Sequence, residues 1–129
     1  MEKPKKCISR QEAKELQKRW WHTRGKAIER SEQHKDVCAV KFSVAELEEY
    51  LKYVKEKSGE QGIEDPGVCI WMGSYAPGNG KPSLSTVFLS ATKQKSENIE
   101  EEESDFEDNP EIEPFNTGSG LWPPGVYGE

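Results

Sequence analysis

The sequence has no closely spaced pair of cysteines, no basic residue after Lys95 and no apolar run of membrane-spanning length. Each shortage excludes something. Cys7, Cys38 and Cys69 are odd in number and lack a CxxC knuckle, which argues against a disulfide framework and fits thiols in a reducing compartment. No segment approaches the ~20 apolar residues of a bilayer span. The N-terminus, MEKPKKCISRQEAK, is basic but has no apolar region behind it, so it does not read as a secretory signal, and Cys7 lacks a lipoprotein context. These features together give a cytoplasmic expectation. Only two histidines, His22 and His34, are available for acid–base or metal chemistry. Apolar residues make up 33% of the 129 and charged residues another 33%, so part of the chain is expected to lie outside the core.

Charge shows which part. Residues 1–58 carry a net +5, residues 59–95 are neutral, and residues 96–129 hold 11 acidic and no basic residues, for an overall charge of −6. An acidic stretch poor in apolar side chains buries too little surface to offset its ordering entropy. The expected organisation is therefore a small domain over 1–95, an acidic low-complexity linker over 96–114, and an aromatic, Pro/Gly-rich clasp or motif over 115–129.

Within 1–95 the signals are local and physical. Ser9-Arg10-Gln11-Glu12 has capping-box spacing. Ala13, Leu16, Trp20 and Ala27 then share one helical face, predicting a helix from about residue 10 to the Gly25 region or a little beyond. Residues 37–42 read as a short strand or an extended lead-in. Ser43-Val-Ala-Glu46 opens a second helix, with Phe42 and Leu47 at staple positions and Val44, Leu47, Tyr50, Leu51 and Val54 as its apolar residues; Ser58-Gly59 is the expected stop. Gly67–Tyr75 and Leu84–Thr92 are β-rich runs joined by turn residues, a hairpin with a long loop. The expected fold is α+β: two capped helices on a small antiparallel sheet, followed by a flexible acidic segment.

The order VKFSVAELEEYL, GVCIWMGSY, LSTVFLSAT is similar to small uncharacterised proteins of Bacteroidetes-type bacteria. The resemblance covers roughly residues 9–92 and implies the α+β architecture; it carries no activity.

Several chemistries are excluded by spacing. In MGSYAPGNGKPSLSTVFLS, six residues instead of four separate Gly73 from Gly80, Pro82 replaces the magnesium-binding hydroxyl of a P-loop, and a β-rich run follows where a helix N-terminus is needed. Pro77-Gly78-Asn79-Gly80 is turn chemistry. Cys7, His22, His34 and Cys38 are zinc-type ligands at irregular gaps, without a knuckle. In DFEDNPEIEPFN, Pro110 stands where a calcium loop needs Gly, and Asn116 where it needs a bidentate Glu. A Cys38–His34 dyad would be an accident of folding. No cofactor and no metal are expected, and a small enzyme ranks third among the functions.

Two surfaces remain. Glu100, Glu101, Glu102, Glu103, Asp105, Glu107 and Asp108 form an anionic run that reads as a solubilising linker, as a mask folded back on the basic first helix, or as a surface for a basic protein partner, with Trp122 and Tyr127 as aromatic anchors. Phe115 and Leu121 join these anchors, and the preferred place for a clasp is the Cys69/Trp71 face of the hairpin. The leading expectation is a non-enzymatic adaptor or inhibitor that engages a basic or nucleic-acid-handling partner. The alternative is a nucleic-acid-binding face of Arg10, Lys14, Lys18 and Trp21 on the first helix. Its bland counterpart is a solvated basic face with Trp21 covered by the 31–36 loop or the tail. Oligomeric state is left open.

Overall fold

Two serines set the starts of the main helices. The computed structural model describes residues 1–78, 80–95, 105–120 and Tyr127, and the architecture is α+β. Helix α1 (Arg10–Trp20) opens on Ser9. The Ser9 hydroxyl accepts the Glu12 amide at 3.0 Å, and the Glu12 carboxylate accepts the Ser9 amide at 3.5 Å. A π turn (Trp21–Gly25) leads into helix α2 (Lys26–Glu32). The stacked indoles of Trp20 and Trp21, 5.7 Å apart, lie against Gly25. A Cβ at Gly25 would sit 2.6 Å from the Trp21 ring, so only glycine admits this arrangement.

The apolar face expected for this helix requires correction. Helix α1 buries no residue, Leu16 is 60% exposed, and Ala27 is exposed. A π turn inserts one extra residue, so the face begun by Ala13 and Leu16 is not continued by Ala27.

The chain forms two units. The first contains residues 1–40, the hairpin tip 74–85 and the end from Gly120; the second contains residues 41–73 and 86–119. In the first, Asp36 is almost fully buried. Its carboxylate accepts the amides of Val37 at 2.9 Å and Ser85 at 2.8 Å, and the Ser85 hydroxyl. This ties the loop after α2 to the hairpin tip. Gly78 and Lys81 exchange two backbone bonds, of 3.1 and 2.9 Å, and Gly80 has φ 74°. The run from Met72 to Ser90 is therefore a hairpin turn, with a strand after Lys81.

The second unit is built on helix α3 (Val44–Glu60). The Ser43 hydroxyl accepts the Glu46 amide at 3.0 Å. The helix ends at Glu60, one residue past the expected Ser58-Gly59 stop. Gly62 takes φ 72°, its amide donates to Gly59, and the Ile63 amide donates to Ser58, so Ser58 and Gly59 supply the carbonyls of a Schellman end. Strands β2 (Gly67–Ser74), β3 (Ser85–Gln94) and β4 (Phe106–Asp108) form one sheet in the order β2-β3-β4. The β3–β4 register is antiparallel: Thr92 with Asp108, Lys93 with Glu107, Gln94 with Phe106. Short strands β1 (Val40–Lys41) and β5 (Ser119–Gly120) pair separately. Tyr50 and Val54 of α3 form the core with Leu89, Ala91 and Ile112; Phe42, Leu47, Tyr53, Val68 and Phe115 pack against it.

The 96–114 linker therefore has a different role over its described part. Residues 105–115 supply a strand and two core contacts instead of a solvated connection. Apolar residues spaced through the acidic sequence explain this: Ile112 is 3% exposed, and Phe115 exchanges two 2.8 Å backbone bonds with Leu89. Buried Asn109 fixes the bend between β4 and Ile112. Its side-chain amide donates to Gln61 at 2.7 Å, and its backbone amide to Ala91 at 2.9 Å.

Two substitutions test these assignments by urea denaturation. Ile112→Ala is expected to cost about 2–5 kcal/mol, the range for emptying a packed aliphatic site; a linker residue would give almost none. Gly62→Ala meets no neighbour within 4 Å, so its expected cost of about 1 kcal/mol is purely that of the left-handed backbone.

Candidate functional site

Helical spacing places Glu46, Glu49 and Tyr53 on one flank of α3, beside buried Tyr50. The return segment Glu113–Phe115 runs along the same flank. Together they line a groove of about 320 Å³, formed by Glu46, Glu49, Tyr50, Tyr53, Glu113, Pro114 and Phe115. Its floor is aromatic: Tyr50 and Phe115 stack with centroids 4.8 Å apart, and Tyr53 lies 6.1 Å from Tyr50. Its charged members are three exposed carboxylates.

Both tyrosines are held by hydrogen bonds. The Tyr50 hydroxyl lies 3.3 Å from the Leu89 carbonyl and 3.0 Å from that of Glu113, donating toward both. The Glu113 amide donates to the Tyr53 hydroxyl at 3.3 Å. Phe42 closes the inner side of Phe115, with centroids 5.3 Å apart. The groove is thus preformed by the same contacts that fold the unit. The ionisation of Tyr50 is pushed upward from its ordinary value near 10. Burial is the largest cause, followed by Tyr53 and by the negative charge of Asp108.

Such a site suits a cation on an aliphatic stem. Aromatic faces and a proline ring accept the methylenes, and carboxylates at the edge take the charge. Among the described residues, no group of three or more His, Cys, Asp or Glu is placed to hold a metal ion.

The residues expected from the sequence fall in several places. Glu107 and Asp108 are exposed on β4, and Asp105 immediately precedes it. The Asp105 carbonyl accepts the Lys95 amide at 3.1 Å. Asp105 also lines a smaller hollow of about 200 Å³ with Cys69, Thr92 and Phe106. Glu100, Glu101, Glu102, Glu103 and Trp122 lie outside the described residues. The Tyr127 ring lies beneath the Arg10 guanidinium, 5.6 Å from centroid to Cζ. Trp71, the expected clasp position, stacks on Phe88 and donates its indole N–H to Ser90 at 2.8 Å.

On α1, Arg10 and Lys18 are exposed and Lys14 is half-buried. Trp21 is in contact with Trp20 and Gly25, and the Lys35 ammonium stands 5.7 Å from its ring centroid. The 31–36 loop therefore covers part of the surface a base would stack on. No disulfide joins Cys7, Cys38 and Cys69. His34 Nδ1 lies 2.9 Å from the Lys35 carbonyl oxygen. Among the described residues, no helix is long and apolar enough to cross a membrane.

The groove was not visible in the sequence, because its two halves lie sixty residues apart even at their nearest members, Tyr53 and Glu113. The available signal was the triplet Glu46, Glu49, Tyr53 on one helical flank, together with a Glu-Pro-Phe whose proline and phenylalanine invite burial.

No family model, curated protein or solved structure matches the chain.

The tyrosine geometry makes a pH prediction. The folded state favours neutral Tyr50, so its contribution is fully present below pH ~10 and falls as pH rises through its elevated folded value. Stability measured by denaturant titration is expected to decline above pH 10, and Tyr50→Phe to flatten that decline. In a 295 nm absorbance titration, Tyr50 is expected to ionise later than an unshifted tyrosine.

Proposed function

We propose that this protein is a non-enzymatic binding module for a basic protein segment. It acts as an adaptor or an inhibitor according to what that segment does in its own protein. The observation that carries the reading is the preformed groove with an aromatic floor and three carboxylates, Glu46, Glu49 and Glu113.

The charge of the surrounding unit supports it. The first unit holds 12 Lys/Arg and 7 Asp/Glu, a net +5, and the second holds 6 and 17, a net −11. The groove therefore lies in the strongly anionic unit, where long-range attraction speeds encounter with a basic chain. Asp105, Glu107 and Asp108 add exposed negative charge along β4, and the acidic run before them extends it in sequence. An arginine or lysine side chain would lay its methylenes on Tyr53, Pro114 and Phe115 and its charge between the carboxylates. A cytoplasmic setting and a nucleic-acid-handling partner are compatible with this chemistry.

The second reading, nucleic acid on Arg10, Lys14, Lys18 and Trp21, rests on the net positive charge of the first unit. The contacts of Trp21 with Trp20 and Lys35 weaken it.

Fluorescence anisotropy with a labelled Arg-Gly repeat peptide tests the proposal, with a labelled DNA duplex in parallel. The full chain is expected to bind the peptide more tightly than the duplex, with affinity falling as salt rises. Glu49→Lys/Glu113→Lys is expected to weaken peptide binding roughly tenfold or more, whereas Glu29→Lys on α2 leaves it nearly unchanged. Equal affinity of the groove variant and the parent would sink the proposal, and so would a preference for DNA.

A further inference from the structure

The second unit has an unfinished side opposite the groove. Around α3, Val44 and Leu51 lie on the other side of Tyr50 and Val54 from Glu46, Glu49 and Tyr53. Val44 is 72% exposed and Leu51 43%. In the sheet, β4 and the Leu89–Phe115 bridge occupy one side of β3, and β2 lies on the other. The two halves of the hairpin can be aligned from its contacts: Tyr75 bonds Leu84, Gly73 faces Thr86, and Trp71 stacks on Phe88. Counting back places Ile70 beside buried Leu89 and Met72 beside Val87, on the core face of the sheet. Yet Ile70 is 69% exposed and Met72 90%. Four apolar side chains thus continue the core to an open edge.

Among the described residues, no strand pairs with the outer backbone of that edge. Antiparallel ladders alternate, and Tyr75 points its amide at β3, so Gly67, Cys69, Trp71 and Gly73 do likewise. Val68, Ile70, Met72 and Ser74 direct theirs outward. Among the described residues, β3 is the one strand paired with β2. The strand, GVCIWMGS, contains no charge and no proline, the usual means by which an edge is protected from pairing.

We infer that this edge is a homodimer interface: two copies pair β2 antiparallel across a two-fold axis, and their Val44, Leu51, Ile70 and Met72 clusters close the core jointly. Charge complementarity favours a second copy as the occupant. An uncharged strand pairs with itself without like-charge repulsion, although the whole chain carries −6. On the same outer flank of α3, Glu48 and Lys55 lie seven residues apart around Leu51. A two-fold axis that runs the helices antiparallel sets Glu48 of one copy opposite Lys55 of the other, giving two opposite-charge pairs per dimer. The product is a six-stranded sheet with both α3 helices on one face and the two acidic grooves at its outer ends.

Sedimentation velocity on the full chain from low to high micromolar concentration tests the inference. The expected result is reversible association to twice the 14.7 kDa chain mass. Ile70→Lys/Met72→Lys is expected to weaken association about a hundredfold, because each substitution enters a two-fold interface twice, with an unchanged far-UV circular dichroism spectrum. Should the double variant misfold, Met72→Lys alone serves, since that side chain is almost wholly exposed. A single 14.7 kDa species at every concentration, or a dimer whose dissociation constant is unmoved by a folded variant, overturns the inference.

Discussion

The Tyr50 hydroxyl is the interaction on which the second unit depends. It sits between the carbonyls of Leu89, on the central strand, and Glu113, on the return segment. A buried phenol must find a partner, and these two carbonyls come from parts of the chain that local propensity does not bring together. Satisfying Tyr50 therefore draws the acidic segment onto the sheet. Once there, Phe115 completes the ladder with Leu89 and stacks on Tyr50, Ile112 enters the core, and Asn109 pairs with Gln61 at the end of α3. The groove is what remains between α3 and that segment. The fold and the proposed binding groove share one set of contacts, so a ligand there would require little ordering of the site.

The same constraint explains the placing of charge. In the return segment Phe-Glu-Asp-Asn-Pro-Glu-Ile-Glu-Pro-Phe, Asn109, Ile112 and Phe115 turn inward at every third position, and the carboxylates Glu107, Asp108, Glu111 and Glu113 stay in solvent. Its apolar residues are enough to anchor it, and its acidic residues define the field around the groove. The first unit carries the opposite sign and is organised by different means: a glycine that admits two stacked indoles, and a buried Asp36 that holds Ser85.

Where local chemistry decides structure, the sequence was readable. Ser9 and Ser43 start their helices through side-chain bonds that need no distant partner. The hairpin follows from β-branched residues on either side of a Pro-Gly-Asn-Gly turn. Reading failed where distant residues decide. Strand β4 hides within a charge-rich run whose composition resembles disorder, and its pairing with β3 rests on Ile112 and Phe115 further along. Leu16 shares an apolar face yet is exposed, because periodicity reports that a face is apolar, not that something covers it. The acidic character of residues 105–113 was legible in their composition. The groove carboxylates, however, are Glu46, Glu49 and Glu113, which become neighbours only after the return segment docks.

The most direct test of the account is an NMR titration of the full chain with an Arg-Gly repeat peptide, followed through backbone amide shifts. The account predicts progressive shifts confined to residues 46–53 and 113–115, saturating with peptide and absent with a Glu-Gly repeat. Shifts centred on α1, or none at saturating peptide, would contradict it.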